Sequence, residues 1–108
     1  MDDTAIVIAD STGTIHFWSK GAESAFGYRA KDAVAHSLDL IVPHEFREAH
    51  WKGFRRAIAS GSAMVEGQPT LFPVLKADGR TEYFSGTLTL LRGGERGIIG
   101  CMVVFAEA

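Results

Sequence analysis

One cysteine, Cys101, stands in the whole chain, so no disulfide can form within it. That usage fits a reducing compartment, and a cytoplasmic setting is expected. No apolar run is long enough to span a bilayer. The opening residues lack a positively charged stretch followed by an apolar one, so no signal peptide is expected. An excess of one charge is missing too. The net charge of −2 argues against a general nucleic-acid surface, and Arg55-Arg56 is only a local basic patch. Internal repeats, low-complexity tracts and linkers are absent. So are a nucleophile–base pair, paired carboxylates at a useful spacing and a phosphate loop. Gly93-Gly94-Glu95-Arg96-Gly97 is glycine-rich but lies in a hairpin-type loop with no helix after it. An enzyme is not expected.

What remains is ordinary globular composition, 46% apolar and 22% charged in 108 residues, enough for one domain with one core. Residues 1–4 are polar and expected to fray. Ala5 to Ala9 is β-branched and apolar, a strand. Asp10-Ser11-Thr12-Gly13 is turn chemistry, and Thr14 to Trp18 alternates as the second arm of a hairpin. His16 reads as a surface or edge residue. Ser19 caps a short helix over Lys20–Phe26 that Gly27 stops. A helical turn follows over Lys31–Ala35, and Ser37 to Val42 makes a tight turn on the core.

The stretch from Pro43 to Ile58 reads as one amphipathic helix ended by Ser60-Gly61-Ser62. Glu45 and Glu48 near its start and Arg55 and Arg56 near its end suit the helix dipole. Phe46, His50, Phe54 and Ala57 recur at helical spacing, with the small Ala49 and Gly53 beside them. The second half is β. Met64 to Lys76 reads as a long interrupted strand, which Pro69 and Pro73 confine to a sheet edge or a bulge. Ala77-Asp78-Gly79-Arg80 is a hairpin turn, and Thr81 to Leu91 alternates. Ile98 to Phe105 is the most buried-looking strand. This order predicts an α+β fold: a five-stranded antiparallel sheet, with short helices and one long helix on one face and a pocket beneath the long helix.

Several motifs, in order, resemble a PAS domain: Asp10-Ser-Thr-Gly13 before Ile15-His-Phe-Trp18-Ser19, and Ala22-Glu-Ser-Ala-Phe-Gly-Tyr28. Leu40-Ile-Val-Pro43 before the long helix, Lys76-Ala-Asp-Gly79 and a last strand ending near Glu107 complete the pattern. Ser19 stands where the family often has Asn. The resemblance covers nearly the whole chain, 1–108, as a single PAS domain. It implies a sensory or interaction module of a signal-transduction protein, with an output region (kinase, cyclase, phosphodiesterase or regulator) elsewhere.

Within the family, flavin photochemistry needs a reactive cysteine in a helix motif, and Cys101 on the last strand does not fit it. Arg47-x-x-His50 resembles the haem-binding oxygen-sensor PAS domains, in which the helix histidine ligates iron. Val65-Glu66-Gly67 ahead of Asp78-Gly79 resembles the haem-regulated cyclic-dinucleotide phosphodiesterases among them. The resemblance implies b-type haem on His50 and sensing of a diatomic gas or redox state. Phe46, Phe54, Gln68, Thr70 and Met102 are its candidate pocket residues. Two departures stand out. The position of Gln68 can hold Met as a second iron ligand in those sensors, and that of Thr70 usually holds Arg, which stabilises bound oxygen.

The other reading needs no haem: a PAS module whose pocket is empty or holds another small molecule, associating as a homodimer through the outer sheet face. Tyr83, Thr87, Thr89 and the Ile98–Phe105 strand are the residues expected there. A surface placement is expected for His36 and His44.

Overall fold

The computed structural model describes residues 4–106; residues 1–3 and 107–108, on which the frayed start and the last motif residue rest, lie outside them. Strand β1 (Ala5–Asp10) turns into β2 (Ile15–Trp18). The turn closes because Asp10 Oδ1 accepts the Thr12 N–H at 2.9 Å while the Gly13 N–H donates to the Asp10 carbonyl at 3.0 Å. Helix α1 (Lys20–Phe26) starts on Ser19, whose hydroxyl accepts the Ala22 N–H. It stops at Gly27, whose N–H returns to the Glu23 carbonyl. A single turn, α2 (Ala30–Ala33), and a 3-10 turn (Leu38–Leu40) lead to the long helix. After it come β3 (Thr70–Leu75), β4 (Thr81–Arg92) and β5 (Ile98–Phe105).

The five strands form one antiparallel sheet in the order β2-β1-β5-β4-β3. The expected α+β architecture is therefore present, and β3 with its Pro73 is the edge strand that the prolines require. Register decides the faces. Ala5, Val7 and Ala9 sit opposite Phe105, Val103 and Cys101, which sit opposite Gly86, Leu88 and Leu90. These line the face beneath the helices. Phe26 of α1 is its centre, fully buried, with its ring edge-on to Phe84 and Phe105 at 5.0 Å each. Burying such a ring contributes about 2–3 kcal/mol. Trp18 adds a third edge contact to Phe26 at 5.7 Å, and its indole N–H is satisfied by the Tyr28 carbonyl at 2.9 Å.

Two expected elements differ. Residues 43–58 are not one helix: Pro43 precedes a 3-10 turn (His44–Phe46), and α3 proper runs over Arg47–Ser60. The Phe46 N–H bonds back to the Pro43 carbonyl at 2.9 Å, as a 3-10 turn requires, and Phe46, at φ −106° and ψ −1°, is the cap residue of α3. The helix ends at Gly61, whose φ of +78° is the left-handed cap that a glycine accepts without penalty. The strand expected from Met64 begins only at Thr70. Upstream the chain is turned on itself, with Glu66 N–H to the Ala63 carbonyl at 3.1 Å and Gln68 N–H to the Val65 carbonyl at 3.0 Å.

Candidate functional site

Helix α3 lies over β5 on the core side of the sheet. Its inward residues are His50, Trp51, Phe54 and Ala57. The inward face includes Trp51 beside His50, Phe54 and Ala57, while Phe46 belongs to the 3-10 turn ahead of the helix. Ala49 and Gly53, expected as small neighbours of the histidine, are exposed on the solvent side. Trp51 takes that inward place. Trp51, three residues before Phe54 and one turn after Arg47, is a signal that the helical spacing itself carries.

The His50 ring meets Trp51 edge-on at 4.8 Å and stacks on Phe54 at 5.9 Å. Its Nδ1 is buried and has no hydrogen-bond partner among the described residues. Burial disfavours the charged imidazolium and lowers the pKa below 6.5, against a smaller opposing pull from the Asp39 carboxylate. Burial thus favours the neutral imidazole, with Nδ1 unpartnered and the ring in contact with Trp51 and Phe54.

Asp39, which the sequence reading passed over, organises this corner. Its Oδ1 accepts the Trp51 indole N–H at 2.6 Å, and its carbonyl accepts from Arg47 Nη2 at 3.1 Å. Arg47 Nε donates to the Val42 carbonyl at 3.2 Å. In Arg47-x-x-His50 the arginine therefore binds the first turn of α3 to the preceding segment, which sets the azimuth of His50.

Of the other candidates, Phe54 is brought to His50 and the rest are not shown in contact with it. Phe46 is half-buried in the 3-10 turn. Gln68 is exposed, and its carbonyl accepts the Thr70 hydroxyl at 2.9 Å, so that hydroxyl is already engaged locally. Thr70 opens β3 opposite Gly86. Met102 is corrected outright: it pairs with Ile8 and Thr89 on the outer face of the sheet, whereas α3 covers the inner one. The alternation of β5 puts Cys101 and Val103 inside and Met102 between them outside. His36 and His44 are exposed, as expected. His16 is exposed as well, with its Nε2 2.7 Å from Asp10 Oδ2.

An open groove of about 390 Å³ lies where Pro69, Ser85, Gly86, Thr87, Val104 and Phe105 meet, and none of its lining residues is on α3. It is not the expected pocket beneath the long helix. Among the described residues no three His, Cys, Asp or Glu side chains gather to hold a metal ion. An iron here would rest on one protein ligand, as a porphyrin-held iron does. A buried imidazole nitrogen without a protein partner fits that donor requirement. Among the described residues, no helix is long and apolar enough to cross a membrane.

Comparisons with known proteins agree with this architecture. The oxygen sensor protein DosP of Escherichia coli (strain K12) is 27% identical over 73 residues, 68% of this chain and 9% of that protein. An uncharacterized protein of Azorhizobium caulinodans is 26% identical over 100 residues, 92% of this chain and 14% of that protein. The chain thus spans a small part of the length of the curated relatives it matches. Among solved structures, the PAS domain of a Colwellia psychrerythraea protein superposes with a TM-score of 0.81 at 19% identity, covering 99% of this chain and 87% of that one. The PAS domain of the Cronobacter turicensis quorum-sensing receptor RpfR, solved in complex with C12:0, gives a TM-score of 0.77 at 14% identity and covers 99% and 95%. A family model described as PAS fold matches residues 2–108, and with the sheet order, the helical layer and these relatives together, the chain belongs to the PAS family.

Proposed function

We propose that this sensory domain detects a diatomic gas or a redox state through b-type haem held by His50, in a cytoplasmic signalling protein whose output region lies outside the residues 1–108. The observation that carries the reading is the buried, unpartnered Nδ1 of a neutral His50. The similarity to DosP, an oxygen sensor, supports it at 27% identity. Haem, when bound, supplies an iron with an axial position open to oxygen, carbon monoxide or nitric oxide. The chain's own part is to hold the imidazole. Asp39 and Arg47 fix the start of α3, Trp51 and Phe54 pack against the ring, and burial favours the neutral imidazole, which has one nitrogen free of a proton. Gln68 stands at the position where the haem sensors can hold a second ligand, and its side-chain amide is a neutral hydrogen-bond donor for a bound diatomic. No residue is assigned a catalytic role.

The test is the absorption spectrum of protein expressed with haem precursor, before and after dithionite and carbon monoxide. A Soret band that moves at each step and is lost in His50→Ala is the expected result. Absence of the band after reconstitution, or an unchanged spectrum in His50→Ala, would overturn the assignment.

A second reading rests on a different observation. The outer sheet face carries Ile8, Met102 and Thr89 in one cross-strand row with Phe17, and Ile6, Val104 and Thr87 in the next. Phe17, Leu71 and Tyr83 are 46%, 67% and 56% exposed there. Such a face suits a homodimer, with an empty pocket or another small ligand, as RpfR binds C12:0. A colourless dimer by sedimentation that Phe17→Glu converts to monomer is what this reading expects.

A further inference from the structure

Strand β4 outruns its neighbour. β3 pairs with it from Leu75↔Thr81 back to Thr70↔Gly86, and the same register carried further would set Gln68 opposite Leu88 and Glu66 opposite Leu90. The chain leaves the ladder there and folds into the turns described above. Much of the edge of β4 is nevertheless occupied. The Gly67 N–H donates to the Leu88 carbonyl at 2.9 Å. The Leu90 N–H donates to Glu66 Oε2 at 2.9 Å, and Arg92 Nη1 donates to the Leu90 carbonyl at 3.1 Å. Arg92 also grips the carboxylate with both nitrogens, Nη1 to Oε2 at 3.0 Å and Nη2 to Oε1 at 2.9 Å. Its Nη2 reaches the carbonyl of Gly61, the cap of α3, at 3.3 Å.

A carboxylate thus stands where a strand carbonyl would accept, and a guanidinium where a strand N–H would donate. We propose that residues 61–69 form a releasable strap, fastened to β4 by the Glu66–Arg92 pair, and that Glu66 is a positioning residue for Gln68 and Thr70. A side-chain surrogate can let go without disturbing the β3–β4 ladder, which starts only at Thr70. The fastening is a bidentate, charge-assisted pair, stronger than a neutral hydrogen bond. The segment also closes one end of the helical layer, since Ala63 packs on the core cluster. The same guanidinium joins the end of α3, the strap and β4, so motion of the helix that carries His50 is coupled to the segment that carries Gln68. That last consequence rests on the haem reading; the strap itself does not.

Amide hydrogen exchange on the ligand-free chain tests it. In Glu66→Ala the Leu90 and Gly67 amides are expected to exchange at least tenfold faster, with Val7 and Val103 in the β1–β5 ladder unchanged. Arg92→Lys keeps the charge but loses the fork, and accelerates the same two amides by a smaller factor; it also serves if Glu66→Ala fails to fold. Unaltered rates at Leu90 and Gly67, or an equal acceleration at Val103, would overturn the strap. The haem-dependent part is read separately, as a faster release of carbon monoxide from Glu66→Ala than from wild type. A wild type that takes up no haem defeats the reading above while the exchange rates still decide the strap.

Discussion

Trp51 of α3 lies against Gly13 in the β1–β2 turn, so close that a Cβ on residue 13 would overlap Cη2 and Cζ3 of the indole. The contact ties the helix that carries His50 to the first hairpin. It depends on Gly13 in two ways, since the residue has no side chain and holds a φ of +86°.

Gly13→Ala is expected to destabilise the chain by about 2–5 kcal/mol, combining left-handed backbone strain and overpacking. Urea unfolding reads the loss. On a Trp51→Ala background the overlap is gone and only the backbone part of the penalty remains. An equal penalty in both backgrounds would mean that the Gly13–Trp51 contact contributes nothing.

Ser19 serves three partners with one hydroxyl. It accepts the Ala22 N–H at 3.2 Å and the Ile6 N–H at 2.8 Å, and it donates to the Thr4 carbonyl at 2.9 Å. Ser19→Ala removes a helix cap and leaves the Ile6 amide of β1 unpaired, a loss of about 2–4 kcal/mol. Ser19→Thr, which keeps the hydroxyl, should recover most of it in the same denaturation assay. A near-neutral Ser19→Ala would show that water takes over all three bonds.

Burial lowers the pKa of His50 in the folded chain below its value of 6.5 when exposed. Between those two pKa values the unfolded chain binds more protons than the folded one, so stability rises with pH in that window. The contribution is complete above about pH 7 and is lost as pH falls through 6.5 towards the folded-state pKa. Stability curves of wild type should therefore decline on acidification in this range, and His50→Leu should flatten the decline. An identical slope in the variant would place the titration elsewhere.

Cys101 is buried on the inner face of β5, and burial pushes its thiol up to about 11. The reactive thiolate is scarce at neutral pH and shielded as well. Native protein should leave an aromatic disulfide reagent nearly unreacted at pH 7.5, with labelling that follows the unfolded fraction as urea is added. Rapid stoichiometric labelling without denaturant would contradict this burial.

Locally determined parts of the fold were legible from residue types. The Ser19 cap and the Gly27 and Gly61 stops follow from backbone chemistry within a few residues. The turn at Asp78-Gly79 closes as its residues imply, with Arg80 N–H on Asp78 Oδ1 at 3.0 Å and Gly79 N–H on the Lys76 carbonyl at 2.9 Å. The alternation of β4 was equally plain, since a strand's period is two whatever it packs against. The stretch from Met64 was misread because its residues have strand character, while the partner that competes for them is distant. Leu88, Leu90 and Arg92 take Glu66 and Gly67 into a turn, and no local pattern announces that.

The candidate site divides in the same way. His50 stood out in the sequence as a histidine on an amphipathic helix, and Phe54 beside it follows from a spacing of four. Ala49 and Gly53 flank His50 on one side of the helix and Trp51 on the other; which flank turns inward depends on how the helix is held, by bonds from Arg47 to Val42 and Asp39 and from Trp51 to Asp39. Met102 shows the remaining limit. Its strand alternates visibly, but which half of the alternation faces α3 depends on pairing with β1 and β4. The sequence by itself determined four of the five strands, the helix caps, the turns at Asp10–Gly13 and Asp78–Gly79, and, through its ordered motifs, the family, because those rest on contacts a few residues apart or on a pattern carried along the chain. Only the tertiary structure decided the phase of α3, the inner face of β5 and the unpaired nitrogen of His50, because each depends on partners from distant segments meeting in space.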